Sequence, residues 1–316
     1  MRRPRPTSSL PGRLGGALAA LVTPFAAGGT RLDERALGDL VAWQVAQGSE
    51  GLVVAGTTGE GPTLTEPERA RVLRVALEAA AGRVPVIAAT GSNCTRTSVV
   101  RTRDAAAAGA AATLAVTPYY NRPTQDGLYW HYAAIVTAVD LPLLVQTVPA
   151  RTGIDLAPAT LARLAALPGV RGILDSTGDL ARLATIERAA PGLLLLSGDD
   201  ATAAAFTMLG GQGCVSVLAN LVPGACAALQ RAAREGDHAR ARLIQAGLMP
   251  LVAALSAETD PGPVKLALAL LRPGVSPDLR LPLVRPRPET EAAIAAALSA
   301  AMAVSAHDPA PAGAAA

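Results

Sequence analysis

The stretch GLVVAGTTGEGPTLTEPERARVLRVALEAAA, residues 51–81, holds a complete β-loop-α unit. It opens with Gly51–Ala55, an apolar run short enough for a buried strand and without polar alternation. Thr65 stands directly before Glu66-Pro67-Glu68, and a hydroxyl followed by acids and a proline is typical of a helix start. The segment 66–81 then has a helical period. The unit therefore predicts a strand covered by its own helix.

The same alternation of short apolar runs and longer helical segments recurs along the chain. We predict eight strands: Ala17–Val22, Gly51–Ala55, Val84–Ala89, Thr113–Val116, Leu143–Gln146, Gly172–Leu174, Leu193–Leu196 and Cys214–Val217. The helical stretches between them include Asp33–Gln47, Glu66–Ala81, Ser98–Ala108, Gly127–Val139, Ala157–Leu167 and Ala201–Leu209. Eight such units with non-alternating strands favour an α/β fold of the closed (β/α)8 type, a TIM barrel, over a doubly wound sheet.

The domain organisation follows from where this alternation stops. We predict the barrel over residues 14–222 and a C-terminal helical extension over residues 223–304. Residues 1–13 form a basic tail and residues 305–316 a Pro/Ala-rich tail, and both compositions indicate disorder.

The charge of the chain argues against a nucleic-acid partner. Its formal net charge is +3, but Arg2, Arg3, Arg5 and Arg13 lie in the first thirteen residues. Leaving these four out of the 28 Lys and Arg side chains brings the rest within one charge of the 25 Asp and Glu side chains. A nucleic-acid partner would need a basic face on the folded domain. The apolar run Leu14–Val22 after Arg2-Arg3 is too short and too poor in cleavage features for an exported protein, and every longer apolar stretch is broken by charge, so we expect no membrane partner.

The cysteines and histidines point to a cytoplasmic protein without a metal. Cys94, Cys214 and Cys226 are an odd, scattered set, which favours reduced thiols over a disulfide framework. The three histidines show no ligand spacing: His131, His238 and His307. We therefore predict no metal and no cofactor.

Candidate binding groups follow three of the predicted strands. Gly56-Thr57-Thr58-Gly59-Glu60 offers backbone amides and two hydroxyls, a combination that suits a carboxylate or phosphate. Tyr119-Tyr120 brings phenols that can pass a proton, and Arg151 can clamp a carboxylate. Each group also has a purely structural interpretation: a turn, an aromatic pair at an interface, or an arginine paired with a neighbouring loop. In a TIM barrel the loops at the carboxyl ends of the strands form the active site.

Taken together, these segments resemble the dihydrodipicolinate synthase/N-acetylneuraminate lyase family, and its synthase branch most closely. The resemblance runs from about Gly16 to about Pro286 and includes GTTGEGPTLT at 56–65, PVIAATGSN at 85–93, TPYYNRPTQDGLY at 117–129, VPARTG at 148–153, STGDL at 176–180, LLSGDDATA at 195–203 and LMPL at 248–251. It implies a barrel with a helical extension, a small keto or carboxylic acid as ligand, and a homo-oligomer, usually a tetramer.

The resemblance also implies roles for single residues. Thr58, with nearby amides such as that of Gly56, would bind the carboxylate of pyruvate, and Arg151 the carboxylate of a second substrate. Thr57 would share a proton relay with Tyr120, which in the family reaches into the site of a neighbouring subunit. Gly198 and Val215 would also contact the substrate.

Two positions depart from the family pattern. The family reads roughly L-Y-N-V-P at the end of strand five and G-I-K-E-A-T-G at strand six. Here Gln146 stands in place of the tyrosine and Leu174 in place of the lysine that attacks the keto group. A desolvated lysine amine forms an imine, which leucine cannot do, and glutamine does not exchange protons near neutral pH. The chain's only lysine, Lys265, belongs to the C-terminal helices and is predicted to lie away from strand six.

This paired difference leads to three interpretations. The first is a diverged barrel that binds a small acid, forms no Schiff base and has been repurposed for lysine-independent chemistry. The second is a non-catalytic or regulatory homologue. The third is the family reaction itself, pyruvate plus aspartate semialdehyde, in a lyase of the synthase type. The roles of Asp175 and Ser176 stay open, although strand alternation directs Asp175 away from the barrel centre.

Overall fold

The computed structural model describes residues 14–307, which form a closed barrel of eight parallel strands. Each strand pairs with the next along the chain, and the eighth pairs with the first. The strands are β1 Gly16–Ala20, β2 Gly51–Val54, β3 Val86–Ala89, β4 Ala112–Val116, β5 Leu143–Thr147, β6 Val170–Asp175, β7 Leu194–Ser197 and β8 Gly213–Ser216. The predicted TIM barrel is confirmed, because all eight predicted strands overlap an observed one.

Helices cover the outside of the barrel and form the C-terminal extension. They are α1 Glu34–Ala46, α2 Glu66–Ala80, α3 Thr95–Ala108, α4 Gln125–Ala138, α5 Pro149–Thr152, α6 Pro158–Ala165, α7 Ala181–Ala189, α8 Ala203–Met208, α9 Pro223–Glu235, α10 His238–Leu255, α11 Gly262–Leu271 and α12 Pro288–His307. Because α9 packs against β1 and β8, it completes the ring of barrel helices. We therefore propose that the extension begins after Glu235 rather than at residue 223.

The start of α2 shows how local sequence sets an element boundary. The Thr65 hydroxyl accepts a hydrogen bond from the backbone amide of Glu68, and the Glu68 carboxylate accepts one from the amide of Thr65. This reciprocal capping box satisfies two amides that have no partner within the helix. The N-cap predicted at Thr65 is confirmed.

Two helices and one helix end differ from the predicted ones. The single turn α5 was predicted as part of a loop, since Pro149 and Gly153 flank only three other residues. The predicted helical stretches did not include the segment of α7, which forms a helix with Leu183 and Ile186 buried. Helix α12 continues to His307, past the predicted end at residue 304, because no helix breaker occurs before Pro309. The predicted disorder of residues 1–13 and 308–316 lies outside the described residues.

The barrel interior is a compact apolar core. Its buried side chains come from all eight strands and from the segment before β1: Leu14, Leu18, Val53, Ile87, Ala112, Leu114, Leu144, Leu174, Leu196 and Val215. The register places Gln146 of β5 beside Leu174 of β6, and Leu174 beside Leu196 of β7. Two positions far apart in the sequence are thus neighbours on one face of the sheet. Within residues 14–307, no helix has both the length and the apolar character that crossing a bilayer requires.

His131 of α4 makes the stability of the fold sensitive to acid. Its side chain is buried, Nδ1 lies 2.9 Å from the Thr95 hydroxyl, and burial lowers its pKa from 6.5 to about 4. Because the unfolded chain takes up the proton first, stability is lost as the pH falls from about 6.5 toward 4. We expect the free energy of unfolding to drop by about 2 kcal/mol between pH 7.5 and pH 5 from this group.

Urea denaturation of the wild type and of His131→Asn at both pH values measures this effect. The variant should show a smaller drop between the two pH values, whatever its absolute stability. Equal drops in the two proteins would show that His131 does not carry the acid sensitivity.

Candidate active site

A cavity of about 230 Å³ opens at the carboxyl ends of β2 to β5. It is lined by Ala55, Gly56, Thr57, Pro62, Arg69, Ala89, Gly91, Leu114, Val116, Tyr119, Gln146, Val148, Arg151 and Thr152. This is the end of a TIM barrel at which catalytic loops gather. Four residues predicted from the sequence to matter for function meet here: Gly56, Thr57, Gln146 and Arg151.

The loop Gly56–Glu60 is held in one conformation by bonds on both sides. The amide of Gly61 donates to the Gly56 carbonyl at 2.9 Å, and the Thr23 hydroxyl donates to the Gly59 carbonyl at 2.7 Å. A Cβ atom on Gly59 would lie 3.0 Å from both the Ala55 amide nitrogen and the Leu21 carbonyl oxygen, so only glycine fits without displacement. The loop therefore presents its amides and hydroxyls as a rigid surface.

Lys265 supports this loop from behind. Its Nζ donates to Glu60 Oε1 at 2.7 Å, both side chains are fully buried, and the ammonium lies 4.1 Å from the centre of the Phe25 ring. The amide of Arg280 donates to Glu60 Oε2 at 3.0 Å, so both carboxylate oxygens of Glu60 are engaged. Burial lowers the pKa of Lys265, and Glu60 opposes that shift. The lysine is a buried partner of Glu60 and does not line the cavity among the described residues.

Leu174 and Gln146 are the two residues that were predicted to depart from the family pattern, and they lie side by side on β6 and β5. Leu174 is 2% exposed and packs in the barrel core, so its side chain points inward. Gln146 lines the cavity, and its Nε2 lies 3.5 Å from Ser176 Oγ. Asp175 points outward, as alternation predicts, and its Oδ2 accepts a hydrogen bond from Arg182 Nε at 2.9 Å.

Three other predicted site residues are not among those that line the cavity: Tyr120, Gly198 and Val215. Tyr120 has a left-handed backbone with φ 70° and is 91% exposed, while its neighbour Tyr119 lines the cavity. Val215 is buried in the barrel core, and a Cβ on Gly198 would overlap the Ser176 hydroxyl at 2.1 Å. These two residues therefore shape the wall behind the site, and their predicted substrate contacts stay predictions.

Thr58 and Asp260 form a contact that sequence reasoning missed. The Thr58 hydroxyl donates to Asp260 Oδ2 at 2.9 Å, and Arg151 Nη2 donates to the Asp260 backbone carbonyl at 3.4 Å. Asp260 lies in the extension, between α10 and α11, so its approach is set by tertiary packing. The only signal in the sequence is a single acid before a proline, which by itself is unremarkable.

No metal centre is visible in residues 14–307, where no three His, Cys, Asp or Glu side chains come together in a ligand arrangement. The three cysteines are free thiols, with Cys214 and Cys226 buried and Cys94 exposed. The groups at the mouth of the barrel are thus hydroxyls, amides, the guanidinium groups of Arg69 and Arg151 and the Asp260 carboxyl group, and the two cations suit a small anionic ligand.

Comparison with known proteins gives a consistent family. The model of the dihydrodipicolinate synthetase family matches residues 13–301. The 4-hydroxy-tetrahydrodipicolinate synthase of Rhodospirillum centenum is 51% identical over 284 residues, which cover 90% of this chain and 97% of that protein. The enzyme of the same name from Thermomicrobium roseum is 49% identical over 288 residues, 90% of this chain and 94% of that protein.

Solved structures agree with this assignment. The chloride-inhibited dihydrodipicolinate synthase of Acinetobacter baumannii, complexed with pyruvate, has a TM-score of 0.89 at 40% identity and covers 92% of this chain and 99% of that chain. The 4-hydroxy-tetrahydrodipicolinate synthase of Methylacidiphilum fumariolicum SolV has a TM-score of 0.90 at 36% identity, with 93% and 98% covered.

These findings correct the first functional interpretation. A repurposed or non-catalytic barrel is contradicted by relatives that share about half of all residues over nearly their full length and are named as the synthase. That interpretation rested on the side chains of residues 146 and 174 and not on the loops around them. Those two side chains lie on neighbouring strands in regular register, and the Gly56–Thr57 segment lines the cavity. The chain belongs to the dihydrodipicolinate synthetase family.

Proposed function

We propose that this protein is a lyase of the 4-hydroxy-tetrahydrodipicolinate synthase type, which joins pyruvate to aspartate semialdehyde. The observation that carries the proposal is the 51% identity to a synthase over 97% of that protein's length. The cavity at the mouth of the barrel supports it, because Thr57, Gly56 and Arg151 line a space of about 230 Å³. That volume is in keeping with small substrates.

The geometry suggests how the two substrates are held. The rigid Gly56–Glu60 loop offers amides and the Thr57 hydroxyl to the carboxylate of pyruvate, at the end of β2. Arg151 lies on the short helix α5 across the cavity, where its guanidinium can hold the carboxylate of the semialdehyde. Two carboxylates bound at opposite walls would bring the reacting carbons together between them.

The proposed site includes a residue from a second copy of the chain. Tyr120 is exposed and does not line the cavity of its own chain as described, so a proton relay with Thr57 requires a neighbouring subunit. Trp130 is also 66% exposed on α4. We infer a homo-oligomer in which Tyr120 enters the neighbour's site, and a cytoplasmic enzyme, since the cysteines are free. Analytical ultracentrifugation of the wild type and of Tyr120→Ala tests the assembly.

The direct test is turnover by the full-length protein. Pyruvate and aspartate semialdehyde are supplied together, and the cyclic product is followed by coupling to a reductase that consumes it. Product formation that requires both substrates supports the proposal. A preparation that binds pyruvate but forms no product at any enzyme concentration overturns it.

Arg151→Lys tests the assignment of the second carboxylate. Lysine keeps the charge but cannot form the paired hydrogen bonds of a guanidinium. We expect the KM for aspartate semialdehyde to rise by about 10-fold or more, which corresponds to about 1.4 kcal/mol, while the KM for pyruvate changes little. Steady-state kinetics with each substrate varied in turn measures both constants.

Arg163→Lys provides the matched control, because Arg163 pairs with Asp126 on the protein surface. It should leave both KM values unchanged. A larger effect of Arg151→Lys on pyruvate than on the semialdehyde would reverse the assignment.

A further inference from the structure

Asp260 places a carboxyl group against the anion-binding loop. Its Oδ2 accepts the hydrogen bond from the Thr58 hydroxyl at 2.9 Å, and Thr58 itself is buried. Its Oδ1 is buried and has no hydrogen-bond partner within residues 14–307. A buried carboxylate oxygen without a donor is costly, so this group is poised either to take up a proton or to meet a ligand that brings one.

The charges around Asp260 are close to balanced. Arg151 on α5 faces it and favours the ionised form, whereas Glu60 after β2 and Asp200 after β7 oppose that form. Glu60 is itself paired with Lys265, and Asp200 accepts hydrogen bonds from the amides of Val217 and Leu218. Burial is the largest influence, and it raises the pKa of Asp260 to about 6.

We propose that Asp260 couples the binding of an anionic keto acid at the Gly56–Glu60 loop to the uptake of one proton from solvent. This inference rests on the proposed function, since it concerns the same site. In the free protein the ionised carboxylate holds the Thr58 hydroxyl and would repel an incoming carboxylate. When the anion binds, Asp260 takes a proton on Oδ1, so the added negative charge is neutralised and the orphan oxygen becomes a hydrogen-bond donor.

The sign of the pH dependence follows from this arrangement. Below the pKa of free Asp260 the carboxyl group already carries its proton, so binding is strongest there and takes up none. Above that pKa, Asp260 must take up a proton from solvent each time an anion binds, so the affinity falls as the pH rises. Uptake of close to one proton corresponds to a loss of affinity of about tenfold per pH unit, so we expect pyruvate to bind more than about tenfold more weakly at pH 8 than at pH 6.

Isothermal titration calorimetry of the full-length protein with pyruvate tests the proposal. Titrations between pH 5.5 and 8 in buffers of different ionisation enthalpy give both the affinity and the number of protons taken up. The wild type should take up close to one proton per pyruvate near pH 7.5. Asp260→Asn keeps an oxygen that can accept from Thr58 and removes the titration, so both the uptake and most of the pH dependence should disappear.

Two further variants make the result specific. Asp126→Asn alters an exposed aspartate on α4 and should behave as the wild type. Thr58→Val removes the bond that favours ionised Asp260, so its proton uptake should begin at a higher pH. Uptake that persists unchanged in Asp260→Asn would overturn the Asp260 proposal alone. Absence of pyruvate binding in every protein at every pH would overturn both it and the proposed function.

Discussion

Replacing Leu174 with lysine and Gln146 with tyrosine is expected to raise the turnover of pyruvate with aspartate semialdehyde by about 100-fold or more. Leu174 points into the barrel beside Gln146, which lines the cavity. A lysine at residue 174 would point inward as leucine does, and its longer side chain would extend toward the barrel mouth. The apolar core around it would lower the pKa of its amine. That amine can attack the keto carbon and form an imine, while the tyrosine supplies a phenol for proton transfer.

Two measurements check this prediction. The first is kcat/KM for the double variant against the wild type. The second is borohydride treatment in the presence of pyruvate, followed by peptide mapping, which should place a reduced adduct on residue 174. Leu174→Met is the matched control, since it preserves the apolar packing without an amine. A double variant that folds, yet gains neither turnover nor an adduct at residue 174, would show that the cavity does not present pyruvate to β6.

Lys265→Met is expected to lower the free energy of unfolding by about 3–5 kcal/mol. The substitution leaves the fully buried Glu60 carboxylate without the ammonium group that pairs with it. The backbone amide of Arg280 still donates to Glu60, but one hydrogen bond does not offset a buried charge. Chemical denaturation with urea, monitored by far-UV circular dichroism, measures the loss.

The double variant Glu60→Gln, Lys265→Met separates the buried charge from the loss of packing. It removes both charges, so it should be more stable than Lys265→Met alone. The coupling energy from this double-mutant cycle gives the strength of the pair. If the double variant is no more stable than the single one, the ion pair is not what holds the Gly56–Glu60 loop.

The Glu60–Lys265 ion pair is also expected to affect pyruvate binding. Glu60 has a left-handed backbone with φ 51°, and it directly follows the residues that are proposed to bind pyruvate. Its two carboxylate oxygens tie the end of the loop to α11 and to the segment before α12. Disruption of the pair is therefore expected to weaken pyruvate binding even in molecules that remain folded.

Much of the fold could be predicted from local patterns. The unit at residues 51–81 shows why: a short buried strand, a glycine-rich loop and a capped helix each have a distinct local signal. The predicted helical stretches did not include α7, nor α5, which is a single turn of four residues. The packing of α9 on β1 and β8 supports our proposal that this helix belongs to the barrel, and no local sequence pattern carries that information.

Some residues of the candidate site could also be predicted from local sequence, and others could not. Thr57 and Arg151 could be found from sequence because each follows a predicted strand, and parallel strands bring their carboxyl ends to one edge. Asp260 could not, because it reaches Thr58 from 202 residues away through the packing of the helical extension. Local sequence carries no information about such a contact, since the distance between the two residues is set only when the barrel and the extension dock.

The amino-acid sequence by itself determined the eight-fold alternation, the Gly56–Glu60 loop that we propose to bind an anion, and the identities of residues 146 and 174. The tertiary structure decided that those two residues are neighbours on adjacent strands, with Gln146 at the cavity and Leu174 in the barrel core. It also decided that Lys265 pairs with Glu60 and that the Asp260 carboxyl group accepts from the Thr58 hydroxyl. The physical reason is that strand and helix periods are encoded within a few residues. Burial and pairing of charge depend instead on which surfaces meet when the chain closes.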